Sequence, residues 1–141
     1  MPTTTPTPLT VSSTAAVPAV GSVLRAGTAS VAVAATATAL IAAAGHAAGI
    51  SLEVSGAPIP VSGFAVLTVI FSIVGVGIAL ALRRFAARPR TGWLLVAGVL
   101  TVLSLVPDAL ADATVSTKVL LMLTHVVAAA IVVPTVARRL T

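Results

Sequence analysis

Residues 61–84 read VSGFAVLTVIFSIVGVGIALALRR, and this stretch decides the fold class. Residues 61–82 carry no charge, and two arginines follow directly. A helix needs about 20 consecutive apolar residues to cross the hydrocarbon layer of a bilayer. No polar face recurs along the stretch at the spacing that a soluble amphipathic helix shows. The stretch therefore predicts a transmembrane helix that ends at a membrane surface.

Three further runs have the same character, over residues 26–49, 92–110 and 119–137. The run at 92–110 is the least secure, because its uncharged part stops at Pro107 and the span has to include Asp108. Short connections between long helices place sequential neighbours antiparallel. Residues 25–141 are therefore predicted to form an all-α domain, a four-helix transmembrane bundle in up-down-up-down order.

The composition of the chain supports a membrane environment. Of its 141 residues 58% are hydrophobic and only 8% are charged, whereas soluble domains carry about 25% charged residues. The absence of cysteine excludes disulfides and thiolate metal sites. The net charge of +5 does not indicate a nucleic acid partner, because the basic residues lie at the edges of apolar runs. The expected partner is the lipid bilayer.

Residues 1–24 differ from the rest of the chain. They are rich in threonine, proline and serine, and such a segment has too few large apolar groups to offset the entropy lost on ordering. We expect a disordered N-terminal tail.

The distribution of charge predicts the orientation of the four spans. With four crossings every arginine falls on one side, and the acidic residues and Lys118 fall on the other. Basic residues in short loops stay cytoplasmic, so both termini are expected in the cytoplasm, in a multi-pass protein of the cell (inner) membrane. The arginines that set the topology, and that are also candidates for contact with lipid headgroups, are Arg25, Arg83, Arg84, Arg88, Arg90, Arg138 and Arg139.

Two further features bear on this topology. The first span could be a signal peptide cleaved within residues 42–48, which would leave three spans and an external N-terminus. Its apolar run is longer than the 7–15 residues of a signal-peptide core, so an uncleaved span is expected. Trp93, at the cytoplasmic start of the third span, is expected to be an anchor at the membrane interface.

Small residues indicate where helices approach closely. Gly45 and Gly49 form a GxxxG pattern, and Gly75 and Gly77 in the second span are candidates to receive it. Packing within the bundle is the expected use of this pattern. Dimerisation through the same face is the alternative.

Ionisable residues within a membrane are costly and often mark function. The ionisable residues in the outer half of the membrane could together form a proton relay, a divalent metal site or a ligand pocket. The structural alternative is that the histidines are neutral and hydrogen-bond between helices, while the carboxylates face water. Metal-ligand spacing such as HxxxH is absent, and nothing besides two histidines suggests haem, so no metal or cofactor is predicted. The candidate polar cluster in the outer half of the membrane is His46, Glu53, Asp108, Asp112 and His125.

The chain after the tail resembles a family of small four-span membrane proteins, common in actinobacteria, that is catalogued as a domain of unknown function. The matching stretches are ISLEV at 50–54, LSLVP at 103–107, and HVVAAAIVVP at 125–134 followed by ARRL at 137–140. The resemblance implies the bundle and the position of His125, and it implies no activity.

No nucleophile–base pair, phosphate-binding glycine loop or GxSxG motif occurs in the sequence. We therefore expect a membrane protein that is not an enzyme and that acts through helix packing with itself or with a partner. The alternative is a small transporter or ligand-binding bundle, which requires His46, His125 and Asp108 to converge on one cavity.

Overall fold

The computed structural model describes residues 20–140, which form four long helices and one small β-ribbon. The helices are α1 (Val20–Ala47), α2 (Val61–Phe85), α3 (Pro89–Leu110) and α4 (Val115–Ala137). All four are long and apolar enough to cross a membrane. The prediction of an all-helical chain with four such helices is confirmed.

The first helix begins earlier than predicted. Residues 20–24 form its first turns, because Val23 is fully buried against the rest of the protein. The predicted tail over 1–24 is therefore wrong at 20–24, and its first 19 residues lie outside the described part of the chain. Arg25 consequently lies inside α1 instead of preceding it.

The ends of α2, α3 and α4 follow from local sequence. Pro60 precedes α2, and Pro89 occupies the first turn of α3, where the missing amide proton costs nothing. Thr114 caps α4, because its hydroxyl accepts a hydrogen bond from the Thr117 amide. The second, third and fourth spans differ from the predicted ranges by at most four residues at either end.

The connection between α1 and α2 contains a ribbon that the sequence did not predict. Strands β1 (Glu53–Val54) and β2 (Ala57–Pro58) pair antiparallel. Ser55 and Gly56 both have positive φ, at 53° and 74°, as a two-residue type I′ turn requires. The Ser55 amide donates to the Asp112 carbonyl oxygen at 2.8 Å, which ties the ribbon to the loop between α3 and α4.

Two apolar clusters hold the helices together. The first unites residues of all four helices, and the second joins the end of α1 and the following loop to the first turns of α2 and α4. The first consists of Ala34, Ala79, Trp93, Ala97, Val132, Val136, Ala137 and Leu140. The second consists of Ala42, Leu52, Phe64 and Leu120. Each helix packs against its neighbours in sequence, and α4 also packs against α1.

Most of the surface of α2 lies outside these clusters. Only Phe64 and Ala79 of this helix are buried, and large apolar side chains such as Phe71 and Ile73 are more than 60% exposed. A water-soluble protein rarely exposes so continuous an apolar surface. Lipid is the environment that suits it.

Candidate intramembrane polar site

A pair of oppositely ionisable side chains lies between α3 and α4. Asp108 sits in the last turn of α3, and His125 lies ten residues into α4. The His125 Nδ1 atom is 2.9 Å from Asp108 Oδ2. The two residues come together because α3 and α4 pack against each other.

The groups around His125 Nδ1 determine which nitrogen of the imidazole carries the proton. Nδ1 also lies 3.0 Å from the Leu121 carbonyl oxygen, one turn earlier in α4. A carbonyl and a carboxylate oxygen are both acceptors, so Nδ1 is the nitrogen that carries a proton. The ring N–H is directed at the Leu121 carbonyl, while Asp108 Oδ2 is shielded from solvent and makes no hydrogen bond of good geometry. The contact with Asp108 is therefore a close electrostatic approach.

The outer edge of the imidazole is accessible. The His125 side chain is 37% exposed, compared with 12% for that of Asp108. Within residues 20–140, the contacts of the ring are made through Nδ1, which leaves Nε2 able to meet a group outside the protein. Such a nitrogen is either a hydrogen-bond acceptor or, in the imidazolium, a donor.

Lys118 lies between Asp108 and His125 in the sequence. Lys118 Nζ donates to the Ala109 carbonyl oxygen at 3.2 Å. This bond satisfies one of the carbonyl groups that the end of α3 leaves unpaired. The lysine therefore stabilises the end of the helix that carries Asp108.

Of the five residues of the predicted polar cluster, the structure brings His125 and Asp108 into contact. His46 and Glu53 line an open cavity of about 700 Å³ between the end of α1, the ribbon and the start of α2. His125 and Asp108 do not line this cavity. Asp112 is exposed and contributes its backbone carbonyl to the Ser55 bond. Among residues 20–140, no three metal-ligating side chains come together.

The predicted glycine packing is wrong in part. Gly49 lies beyond the end of α1 with φ of 83°, so it belongs to the turn and cannot share a helix face with Gly45. A methyl group at Gly45 would overlap Leu120 Cδ1 of α4. A methyl group at Gly77 would meet nothing within 4 Å, and one at Gly75 would lie 3.5 Å from the Trp93 ring. The close approach at Gly45 is therefore to α4 and not to α2.

Trp93 does not anchor the protein at the membrane interface. Its side chain is only 2% exposed, and Nε1 donates to the Val133 carbonyl oxygen of α4 at 3.0 Å. A tryptophan at a helix start has the same sequence signature whether it faces lipid or a neighbouring helix, so the sequence alone could not distinguish these placements.

Sequence reasoning also missed two packing contacts of α1. A methyl group at Gly27 would come within 3.0 Å of Val76 in α2, and the Thr38 and Thr68 hydroxyls are 2.9 Å apart. The small residues of the buried face recur every three or four positions, as Gly27, Ser30, Ala34, Thr38, Ala42 and Gly45. This spacing is visible in the sequence and could have been used to predict the buried face of α1.

The arginines lie where the spans end, except Arg25. Arg83 and Arg84 are in the last turn of α2, while Arg88 and Arg90 flank the start of α3. Arg138 and Arg139 follow α4.

Comparison with known proteins identifies the family of the chain. Residues 18–141 match a family described as a family of unknown function, DUF6069. No curated protein and no solved structure matches the chain.

Proposed function

The chain belongs to DUF6069, a family of unknown function, so we propose a function from the physical features of the chain alone. We propose that it is a non-enzymatic, multi-pass protein of the cell (inner) membrane that works by lateral association. The associating surface is the face of α3 and α4 that carries Asp108 and His125. The actinobacterial distribution of the family stays a prediction.

The proposed topology is an up-down-up-down bundle with both termini in the cytoplasm. The first apolar cluster supports this order, because it brings the end of α2 and the end of α4 to the start of α3. Charge supports the sidedness, since all seven arginines then face the cytoplasm and Lys118 faces outward.

The accessible imidazole of His125 is the observation that carries the proposal. In hydrocarbon a polar group without a partner costs several kcal/mol, and polar side chains therefore bond between membrane helices. Nε2 is placed to make such a bond with a second transmembrane segment. Ala129, one turn farther along the same helix face, is small enough to let that segment approach closely.

Asp108 approaches the other nitrogen of the ring. The Asp108 carboxyl group and the Leu121 carbonyl group both lie against Nδ1 and favour the proton there, so Nε2 is the acceptor nitrogen of the neutral ring. The second segment is expected to present a hydrogen-bond donor to Nε2, either from another copy of this chain or from a different membrane protein.

The test replaces His125 by leucine and measures association in bilayers by energy transfer between labelled copies, and by co-purification from native membranes. A polar contact between membrane helices contributes roughly 0.6–1.7 kcal/mol, so association should weaken by about 3-fold to 20-fold. His46→Leu is the matched control, because His46 is a histidine outside the α3–α4 face and should not affect association. Unchanged association of the His125→Leu protein would contradict the proposal.

The alternative function is a small transporter or ligand-binding bundle that uses the same pair. The Asp108–His125 contact favours it, because such pairs serve in proton relays. The alternative also required His46 to reach this pair, and His46 lies at the separate cavity beside the ribbon. Association is therefore the better supported of the two.

A further inference from the structure

The last two turns of α2 carry a shallow apolar groove. It has a volume of about 360 Å³ and is lined by Ile78, Ala81, Leu82, Phe85 and Ala86. The first four residues are spaced at i, i+3, i+4 and i+7, so they form one stripe along the helix. The Phe85 ring is 82% exposed. A stripe of this shape offers continuous apolar contact to an extended hydrocarbon chain.

The inner wall of the groove is supported by α3. A methyl group at Gly92 would lie 3.5 Å from Leu82 Cδ2, so Leu82 lies directly over the backbone of the first turn of α3. This contact positions the groove where α2 and α3 meet, at the end of both helices.

Positive charge lies beside the groove at the same end. The Arg84 guanidinium is 5.5 Å from the centre of the Phe85 ring, which is within the range of a cation–π contact. Arg88, two residues beyond Ala86, is the N-cap residue of α3 and is exposed. Arg84 therefore lies against the aromatic residue that ends the stripe, and Arg88 follows that residue by three positions in the chain.

The protein supplies no acidic side chain to balance this charge. The chain has only three, Glu53, Asp108 and Asp112. Glu53 precedes α2, and Arg84 lies in the last turn of that helix, about 35 Å along its axis from its first residue. Asp108 is at the far end of α3 from Arg88. Among the side chains of residues 20–140, none supplies a counter-charge at this end of the two helices, which leaves room for an anionic ligand.

We propose that this groove and the two arginines form a binding site for an anionic phospholipid. One acyl chain lies along the stripe from Ile78 to Phe85, and Arg84 and Arg88 bind the phosphate. Arginine suits this role because its planar guanidinium bonds two phosphate oxygens at once. The site requires only that the chain spans a membrane, and neither lateral association nor the direction of insertion affects it.

The experiment measures lipid binding to the purified full chain in detergent, by native mass spectrometry. Phosphatidylglycerol should bind more tightly than phosphatidylcholine. In the double variant Arg84→Gln/Arg88→Gln, phosphatidylglycerol binding should weaken about 30-fold, which corresponds to about 1 kcal/mol for each arginine. The matched control, Arg138→Gln/Arg139→Gln, removes the same charge from the end of α4 and should change binding by less than about 3-fold, because arginines that add only to a general field are screened.

Phe85→Ser tests the groove without changing any charge. It should weaken phosphatidylglycerol binding about 10-fold through lost apolar contact, and inorganic phosphate alone should not displace the lipid. Equal losses in the two arginine pairs, equal affinity for the two lipids, or displacement by phosphate alone would each overturn the proposal. If the Arg84/Arg88 variant does not fold, as judged by circular dichroism, unchanged binding to the Phe85→Ser protein is sufficient to overturn it.

Discussion

Gly45 and Gly77 show how differently two glycines of apolar helices are used. A side chain at Gly45 would meet Leu120, which is 5% exposed, whereas one at Gly77 would meet nothing. Leu120 belongs to the cluster that joins α1 to α2 and α4. The first glycine is therefore required by packing, and the second is not.

This difference predicts opposite outcomes for the same substitution. Gly45→Val should lower the free energy of unfolding by about 1–3 kcal/mol, because the added isopropyl group overpacks the cluster. Gly77→Val, the control, should change it by less than about 0.5 kcal/mol. The measurement is unfolding of each purified variant in mixed micelles, followed by circular dichroism. Equal effects of the two substitutions would contradict the assigned contact.

At the scale of elements, the docking of α3 on α4 depends on Trp93. This residue is the single tryptophan of the chain, so intrinsic fluorescence reports on its surroundings directly. Because it is buried and bonded to Val133 of α4, lipids with brominated acyl chains should quench its emission by less than about a fifth. Leu95→Trp in a Trp93→Phe background places the indole at a position that is 67% exposed, and quenching there should be strong. Strong quenching of native Trp93 would instead support the original prediction that this residue lies at the membrane interface.

The sequence predicted the helices better than their contacts. Uncharged length defines a span, and charges mark its ends, so residues 61–82 were sufficient to place α2. The ribbon was missed because its turn places a non-glycine residue, Ser55, at positive φ, and because the Ser55 amide bonds to Asp112 in a loop that is distant in the sequence. Asp108 and His125 were predicted as candidates, but which of the five polar residues meet depends on helix rotation, and apolar runs without a polar face do not encode it.

At the scale of the whole molecule, charge and span count make one joint prediction about topology. Four spans place seven arginines together, whereas omission of the third span would move Arg138 and Arg139 to the opposite side from Arg84. Short basic segments resist translocation. The order of the helices and the direction of insertion are therefore tied to each other, and one set of reporters tests both.

A reporter active only in the cytoplasm should give a signal when it is fused after residue 141 and no signal when it is fused after residue 112, in the loop between α3 and α4. A periplasmic reporter should give the reverse pattern. The control fusion is made after residue 86, in the connection between α2 and α3, and should give the same signal as the C-terminal fusion. Four arginines lie within residues 83–90, and Arg138 and Arg139 lie near the C-terminal fusion point. Both basic segments are expected to stay in the cytoplasm. A C-terminal fusion that reads as external while the fusion after residue 86 reads as cytoplasmic would mean that α3 or α4 does not cross. In that case Asp108 and His125 would not lie together within the membrane, and the proposed association through them would lose its physical basis.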